Sequence, residues 1–210
     1  TPDLSVFQQV DFSSTGTLLT LSLGSMFVVA FMLIGLTTQK VGVTAASLAG
    51  NMSLVIPVLF GLFVFQNNNK EFTPLNYIGL VVALVALTLG AIQVPSETEQ
   101  KSPSTKIGMG LWIFPVLTFL GSGTNNTLIN YLSSKYYEPG QTTVFMIIAC
   151  TGAIIMGTSL LLFRIAFQKD KLQWRSVAGG LILGVPNFLS LYFLLKALAA
   201  FGNSAAYVFP

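Results

Sequence analysis

"KVGVTAASLAG", residues 40–50, interrupts an apolar stretch with one lysine, two glycines and a string of small side chains, and Lys40 is the only charge between Asp11 and Lys70. A break of this kind between long uncharged runs reads as a turn between two membrane-crossing helices, because a hydrocarbon core about 30 Å thick takes roughly 20 helical residues. The stretch "AAFGNSAAYVFP", residues 199–210, repeats the same character near the far end of the chain. The two stretches together predict a membrane protein built twice from one plan.

Composition agrees. Hydrophobic residues make up 53% of the 210 and charged residues 8%, against about 25% charged in soluble domains; mean hydropathy is +0.75. The uncharged runs are 12–39, 41–69, 72–96, 107–134, 139–163 and 176–195, each long enough to span. Six spans are predicted, with helices near 17–38, 44–66, 74–93, 107–133, 142–166 and 176–199. A truncated helix follows from about 203. Stretches of this length in lipid are helices unless they alternate as barrel strands, and these do not alternate. The fold class is therefore all-α, a polytopic transmembrane helix bundle. The half-span at the end, and a start at Thr1 with neither an initiator Met nor a signal peptide, predict a fragment of a longer chain.

Several function classes lose ground at once. The net charge of +3 is spread over single residues and loops, so it is no nucleic-acid patch. One cysteine, Cys150, leaves no internal disulfide and no multi-cysteine metal site. The absence of histidine removes the commonest acid/base catalyst and metal ligand. The expectation is a protein that is not an enzyme and has neither cofactor nor metal.

The polar stretch "PSETEQKSPSTK", 95–106, holds two prolines and four charges and predicts a boundary between halves. Across it, an ungapped alignment at an offset of 160 positions (184 − 24) pairs Leu21 with Leu181, Gly24 with Gly184, Gly42 with Gly202, Ala45 with Ala205 and Ala46 with Ala206. Identity alone means little in so simple a composition. Architecture weighs more: both copies end a long span in a charge, a glycine and a Ser/Thr-Ala-Ala step. Five spans separate equivalent points, and an odd number inverts the second copy, the plan of many secondary transporters. Basic residues agree, because residues 1–16 carry Asp3 and Asp11 whereas the equivalent 164–175 carries four basic residues. By side, Lys40, Lys101, Lys106, Arg164, Lys169, Lys171 and Arg175 oppose Lys70, Lys135 and Lys196. That excess puts the 94–106 loop in the cytoplasm.

"GLTTQKVGVTAASLAGNMSLVIPVLFGLFVF" followed by "NYIGLVVALVALTLGAI" resembles the EamA-type branch of the drug/metabolite transporter superfamily, and "GSGTNNTLINYLSSKY" is similar to the opening helix of that family's second repeat. The resemblance implies two inverted five-helix repeats, here truncated at both ends. Residues 1–94 would be helices three to five of the first repeat, 95–106 the loop between repeats, and 107–210 helices six to eight with the start of nine. It implies transport, efflux included, at a bacterial inner or plasma membrane. The family's layout puts the loop on the opposite side from the basic-residue count, so orientation stays open.

Polar side chains inside spans are the candidates for solute binding, since hydrocarbon offers them no partner. Ser122, Asn126 and Asn130 recur every four residues on one helix face, and Thr118 extends the stripe. Asn187, Ser190 and Tyr192 lie near Pro186, and Asn51 pairs with Ser47 at i, i+4. Asn126 and Asn187, both near mid-span, are expected to share a central cavity. The bland rival is that such residues tie helices together, at about 0.6 kcal/mol per hydrogen bond. Gly180 and Gly184, in a GxxxG pattern, are expected to be close-packing points. Lys40 and Lys196 are expected to snorkel. No acidic residue lies within a complete span, so the cavity suits a small neutral or zwitterionic organic solute. The expected partners are that solute and the lipid bilayer, with no nucleic acid and with a homodimer left open. A secondary transporter leads; a non-transporting scaffold subunit and, behind it, a membrane enzyme are the alternatives.

Overall fold

A computed structural model describes residues 14–65, 74–75, 77–79, 81–82, 85, 109–138, 141–168 and 174–209, and all regular structure among them is helical. Helix α1 is Thr15–Lys40, α2 Val43–Met52, and α3 Val55–Phe60, which runs into a π-helical turn at Gly61–Phe65. A 3-10 turn at Met109–Trp112 leads into α4, Ile113–Tyr136. Helix α5 is Thr142–Gln168, α6 Trp174–Ala200 and α7 Ala205–Val208. Of the span expected at 74–93, residues 74–75, 77–79, 81–82 and 85 are helical and the rest lie outside the described residues, as does the loop 95–106.

Four helical stretches are long and apolar enough to cross a membrane: Thr15–Lys40, Val43–Phe60, Thr142–Phe167 and Trp174–Ala200. They are compatible with a multi-pass membrane protein. Of the six expected spans, four meet this measure among the described residues, and the one at 74–93 lies largely outside them. Helix α4 has the length, 24 residues, but Thr, Ser and Asn side chains dilute its apolar character. The other helices carry their hydroxyls by turning them back on the backbone. Thr20 donates to the Gly16 carbonyl at 2.8 Å, Thr38 to Ile34 at 2.8 Å, Thr151 to Ile147 at 2.7 Å and Ser159 to Ile155 at 2.7 Å. Each such bond hides a donor that lipid would leave unpaired.

The helix ends follow from local chemistry. Ser14 caps α1, its Oγ accepting from the Thr17 N–H at 3.2 Å. Pro57 brings no N–H and its ring crowds the carbonyl four residues back. The expected single helix 44–66 therefore breaks at Ser53 and Leu54, where the Ile56 N–H reaches only to the Ser53 carbonyl, 3.1 Å. Helix α6 ends in a Schellman turn, with the Asn203 N–H bonded to the Leu198 carbonyl at 2.7 Å and positive φ at Gly202 and Asn203. Helix α1 also ends at a glycine of positive φ, but with the closing bond one residue earlier, the Gly42 N–H itself reaching the Thr37 carbonyl at 3.1 Å with Gly42 at φ 119. Shifted by 160 positions, Lys40 at the end of α1 falls on Ala200 at the end of α6, and Gly42 falls on Gly202.

By their contacts the described residues form two units: those up to Val28 with Leu128–Asn203, and Val29–Thr127 with those from Ser204 on. In the first unit α1 and α5 touch backbone to backbone. A Cβ on Gly24 would collide with the Ala149 carbonyl, and one on Gly152 with the Leu21 carbonyl. Leu23, Phe145, Met146 and Ala149 are buried around this crossing. Next to it the Tyr137 hydroxyl donates to Thr20 Oγ1 at 2.9 Å, and its ring meets Phe145 edge to face at 5.2 Å. Burial pushes the Tyr137 phenol above its usual range, so it stays a neutral donor at ordinary pH. Gly180 and Gly184, expected to be close-packing points, have no atom within 4 Å of a built Cβ. Both stand exposed on α6. The correction has a plain cause: the packing glycines are those of α1 and α5, where two backbones actually meet.

In the second unit α1 and α4 run antiparallel. Leu33 meets Gly121, Thr37 meets Thr118, and the Lys40 ammonium sits 4.9 Å over the Phe114 ring. The Thr37 and Thr118 hydroxyls are 2.7 Å apart and fully buried. Ile56 of α3 packs on Gly123 of α4, and Ala205 of α7 on Gly61.

Two stability predictions follow from these contacts. Gly152→Ala should lower the detergent melting point, at a cost of about 1–3 kcal/mol for forced overpacking. Gly184→Ala, in open space, should leave it unchanged or raise it, since Ala favours helix by about 1 kcal/mol. Equal melting of the two variants would refute the α1–α5 contact. Thr37→Val or Thr118→Val alone should each cost about 1 kcal/mol by orphaning the partner, while the double variant recovers part of that loss. Strictly additive losses in a double-mutant cycle would contradict the hydroxyl pair.

Candidate functional site

Helix α4 concentrates the buried polar groups. Thr118, Asn125, Thr127 and Asn130 are all buried along it. Thr118 is held by Thr37, and Thr127 donates to the Gly123 carbonyl at 2.8 Å. Asn130 donates from Nδ2 to the Asn203 carbonyl at 2.9 Å, which ties α4 to the Schellman turn after α6. The Oδ1 atoms of Asn125 and Asn130 are buried without a hydrogen-bond partner. Nearly all buried polar groups find a partner, so two orphan acceptors on one helix ask for an explanation.

The seven residues singled out from the sequence fall in different settings. Ser122 and Asn126 are half-buried and Asn130 is fully buried, so burial deepens along the four-residue stripe. Asn51 is exposed on α2, and Asn187 and Ser190 are exposed on α6. Tyr192 is half-buried, with its ring 5.6 Å from Phe193 and the Lys196 ammonium 5.7 Å above it. Asn126 belongs to the second unit, Asn187 to the first.

Asn125 was not among them. It lies seven residues after Thr118 and seven before Leu132, both buried, and a seven-residue step returns to the same helix face. That spacing was the available signal. Stepping by four from Ser122 follows a neighbouring face instead.

At its C-terminal end α4 presents Lys135, whose ammonium donates to the Tyr131 hydroxyl at 2.6 Å and lies near the Tyr131 and Tyr136 rings. The hydrogen bond to Tyr131 raises its pKa. Cys150 is a free, half-buried thiol. Among the described residues no three His, Cys, Asp or Glu side chains gather as metal ligands.

The second unit also holds an apolar pocket of about 300 Å³. On one side Ala45, Leu48, Ala49 and Met52 of α2 line it, with Val41 before them. On the other stand Trp112, Pro115, Val116 and Phe119, at the same i, i+3, i+4, i+7 spacing. None of the seven sequence candidates is in its wall.

Comparison with known proteins gives little to set beside this geometry. No family model and no solved structure matches the chain. A Haemophilus influenzae protein described as uncharacterized is 25% identical over 215 residues, an alignment that takes in 99% of this chain and 67% of that relative. The chain is thus similar, along almost its whole length, to about two thirds of a longer protein whose description names no activity.

Proposed function

We propose that the chain belongs to an integral-membrane secondary transporter of the EamA-type drug/metabolite kind, moving a small neutral or zwitterionic organic solute by alternating access between two inverted repeats. The observation that carries the reading is α4. It is a 24-residue helix that buries Thr118, Asn125, Thr127 and Asn130 and keeps two amide oxygens, on Asn125 and Asn130, without protein partners. An unsatisfied buried acceptor costs about 1–3 kcal/mol. Polar groups inside a membrane bundle mark solute pathways by default, and each of these two acceptors can take an N–H or O–H donor.

The repeat has separate support. Helices α1 and α6 end at positions related by the 160-residue offset, and both ends use a glycine with positive φ at the equivalent place. In this reading Ser122 and Asn126 of the second unit and Asn187 and Tyr192 of the first are each candidates for solute contact.

The test is solute flux and affinity in vesicles carrying the full-length protein, run against a panel of small metabolites beside detergent melting. Asn125→Leu, Asn126→Leu and Asn187→Leu each remove a donor and an acceptor at similar bulk. Each should weaken solute affinity between about fivefold and a hundredfold, the equivalent of about 1–3 kcal/mol, while melting holds or, for Asn125→Leu, rises. Unchanged affinity with lowered melting in all three would make these asparagines helix glue. Absence of flux for every solute would favour a scaffold subunit.

A further inference from the structure

The apolar pocket of the second unit is not explained by the transport of a polar solute, and its shape and surroundings point elsewhere. Its two walls are stripes of one helix face each, Ala45 to Met52 and Trp112 to Phe119. Seven residues of helix advance about 10 Å, so the groove runs for about two thirds of the roughly 15 Å depth of one lipid leaflet. The stripes run in the same direction, for Phe114 lies by Lys40 at one end and Gly123 by Ile56 further along. Val41, at the near end of the groove, follows Lys40 directly, and Phe114 precedes the lining residue Pro115.

Lys40 therefore stands at the rim. It is exposed, its ammonium rests on the Phe114 ring, and the second unit contains no carboxylate among the described residues to neutralise it. An apolar cavity stays dry and takes an apolar guest. A cation at the end of a span attracts an anionic headgroup. We propose that this pocket seats an acyl tail of an anionic membrane phospholipid, with the headgroup phosphate held at Lys40. The proposal does not depend on what the protein transports.

Trp112, in the wall of the groove, is a built-in reporter, and it is made the sole tryptophan by replacing Trp174, and any tryptophan outside these 210 residues, with Phe. The full-length protein in vesicles is given phosphatidylglycerol or phosphatidylcholine with brominated acyl chains as a minor component, and quenching of Trp112 is read. Brominated phosphatidylglycerol should bind about fivefold more tightly than brominated phosphatidylcholine. Lys40→Gln, a change at an exposed site, should make the two lipids equal. Ala45→Phe, filling the groove while Lys40 remains, should abolish the preference and leave the quenching that exposed Trp112 receives from surrounding lipid.

Equal quenching by the two lipids in the parent protein would overturn the proposal. So would a preference that survives Ala45→Phe, which would be a general attraction of lipid to a basic surface. A brominated fatty acid that quenches through Lys40 while the phospholipids show no preference would reassign the groove to a free acid. Trp112 shielded from every lipid would mean that protein fills it.

Discussion

Helices α1 and α5 meet where Gly24 lies against the Ala149 carbonyl and Gly152 against the Leu21 carbonyl. Lipid tails are as apolar as leucine, so helices in a bilayer gain little from hiding leucines against one another. Close backbone approach and interhelical hydrogen bonds have to supply the association. The contact of α1 with α5 in the first unit is such an approach. It buries Leu23 and Phe145 and places Thr20 within reach of the Tyr137 hydroxyl. A single methyl at either glycine would hold the two backbones apart.

Helix α4 solves a different problem. Hydroxyls of α1 and α5, and Thr127, Ser133 and Ser134 of α4, are consumed on carbonyls of their own helix. Helix α4 also spends Thr118 on Thr37 and the Asn130 amide nitrogen on the Asn203 carbonyl, and keeps two amide oxygens unspent. Its content of Thr, Ser and Asn leaves it outside the four strongly apolar stretches. Protein rather than lipid partners hold Thr118 and Asn130.

Much of this was legible in the residues. Charge spacing located the helices at 15–40, 142–168 and 174–200 to within two residues, because a bilayer tolerates charge only at the ends of its spans. The turn at Gly42 was legible for the same reason. The break inside 44–66 was not placed, since Pro57 acts on a carbonyl one turn upstream of itself. Gly180 and Gly184 matched a packing motif, yet a motif cannot say whether a partner helix faces it, whereas Gly24 and Gly152 lie in different helices and make no motif in the chain. Asn125 escaped for want of the right period. The pocket between α2 and α4 left no trace at all, because Ala, Leu, Met and Phe at helical spacing are what any buried face looks like.

The proposed inversion ties these parts into one account: α1 and its turn are written again as α6 and its turn, entering the membrane from the other side. Gln39 and Ala199 occupy equivalent positions at the 160-residue offset and are both exposed. Single cysteines at these two positions, in a background of the full-length protein with Cys150 and any further cysteine replaced by Ala, can be probed with a membrane-impermeant thiol reagent on intact cells and on inverted vesicles. The inverted repeat predicts that one site reacts only in cells and the other only in inverted vesicles. Labelling of both sites from the same side would contradict it.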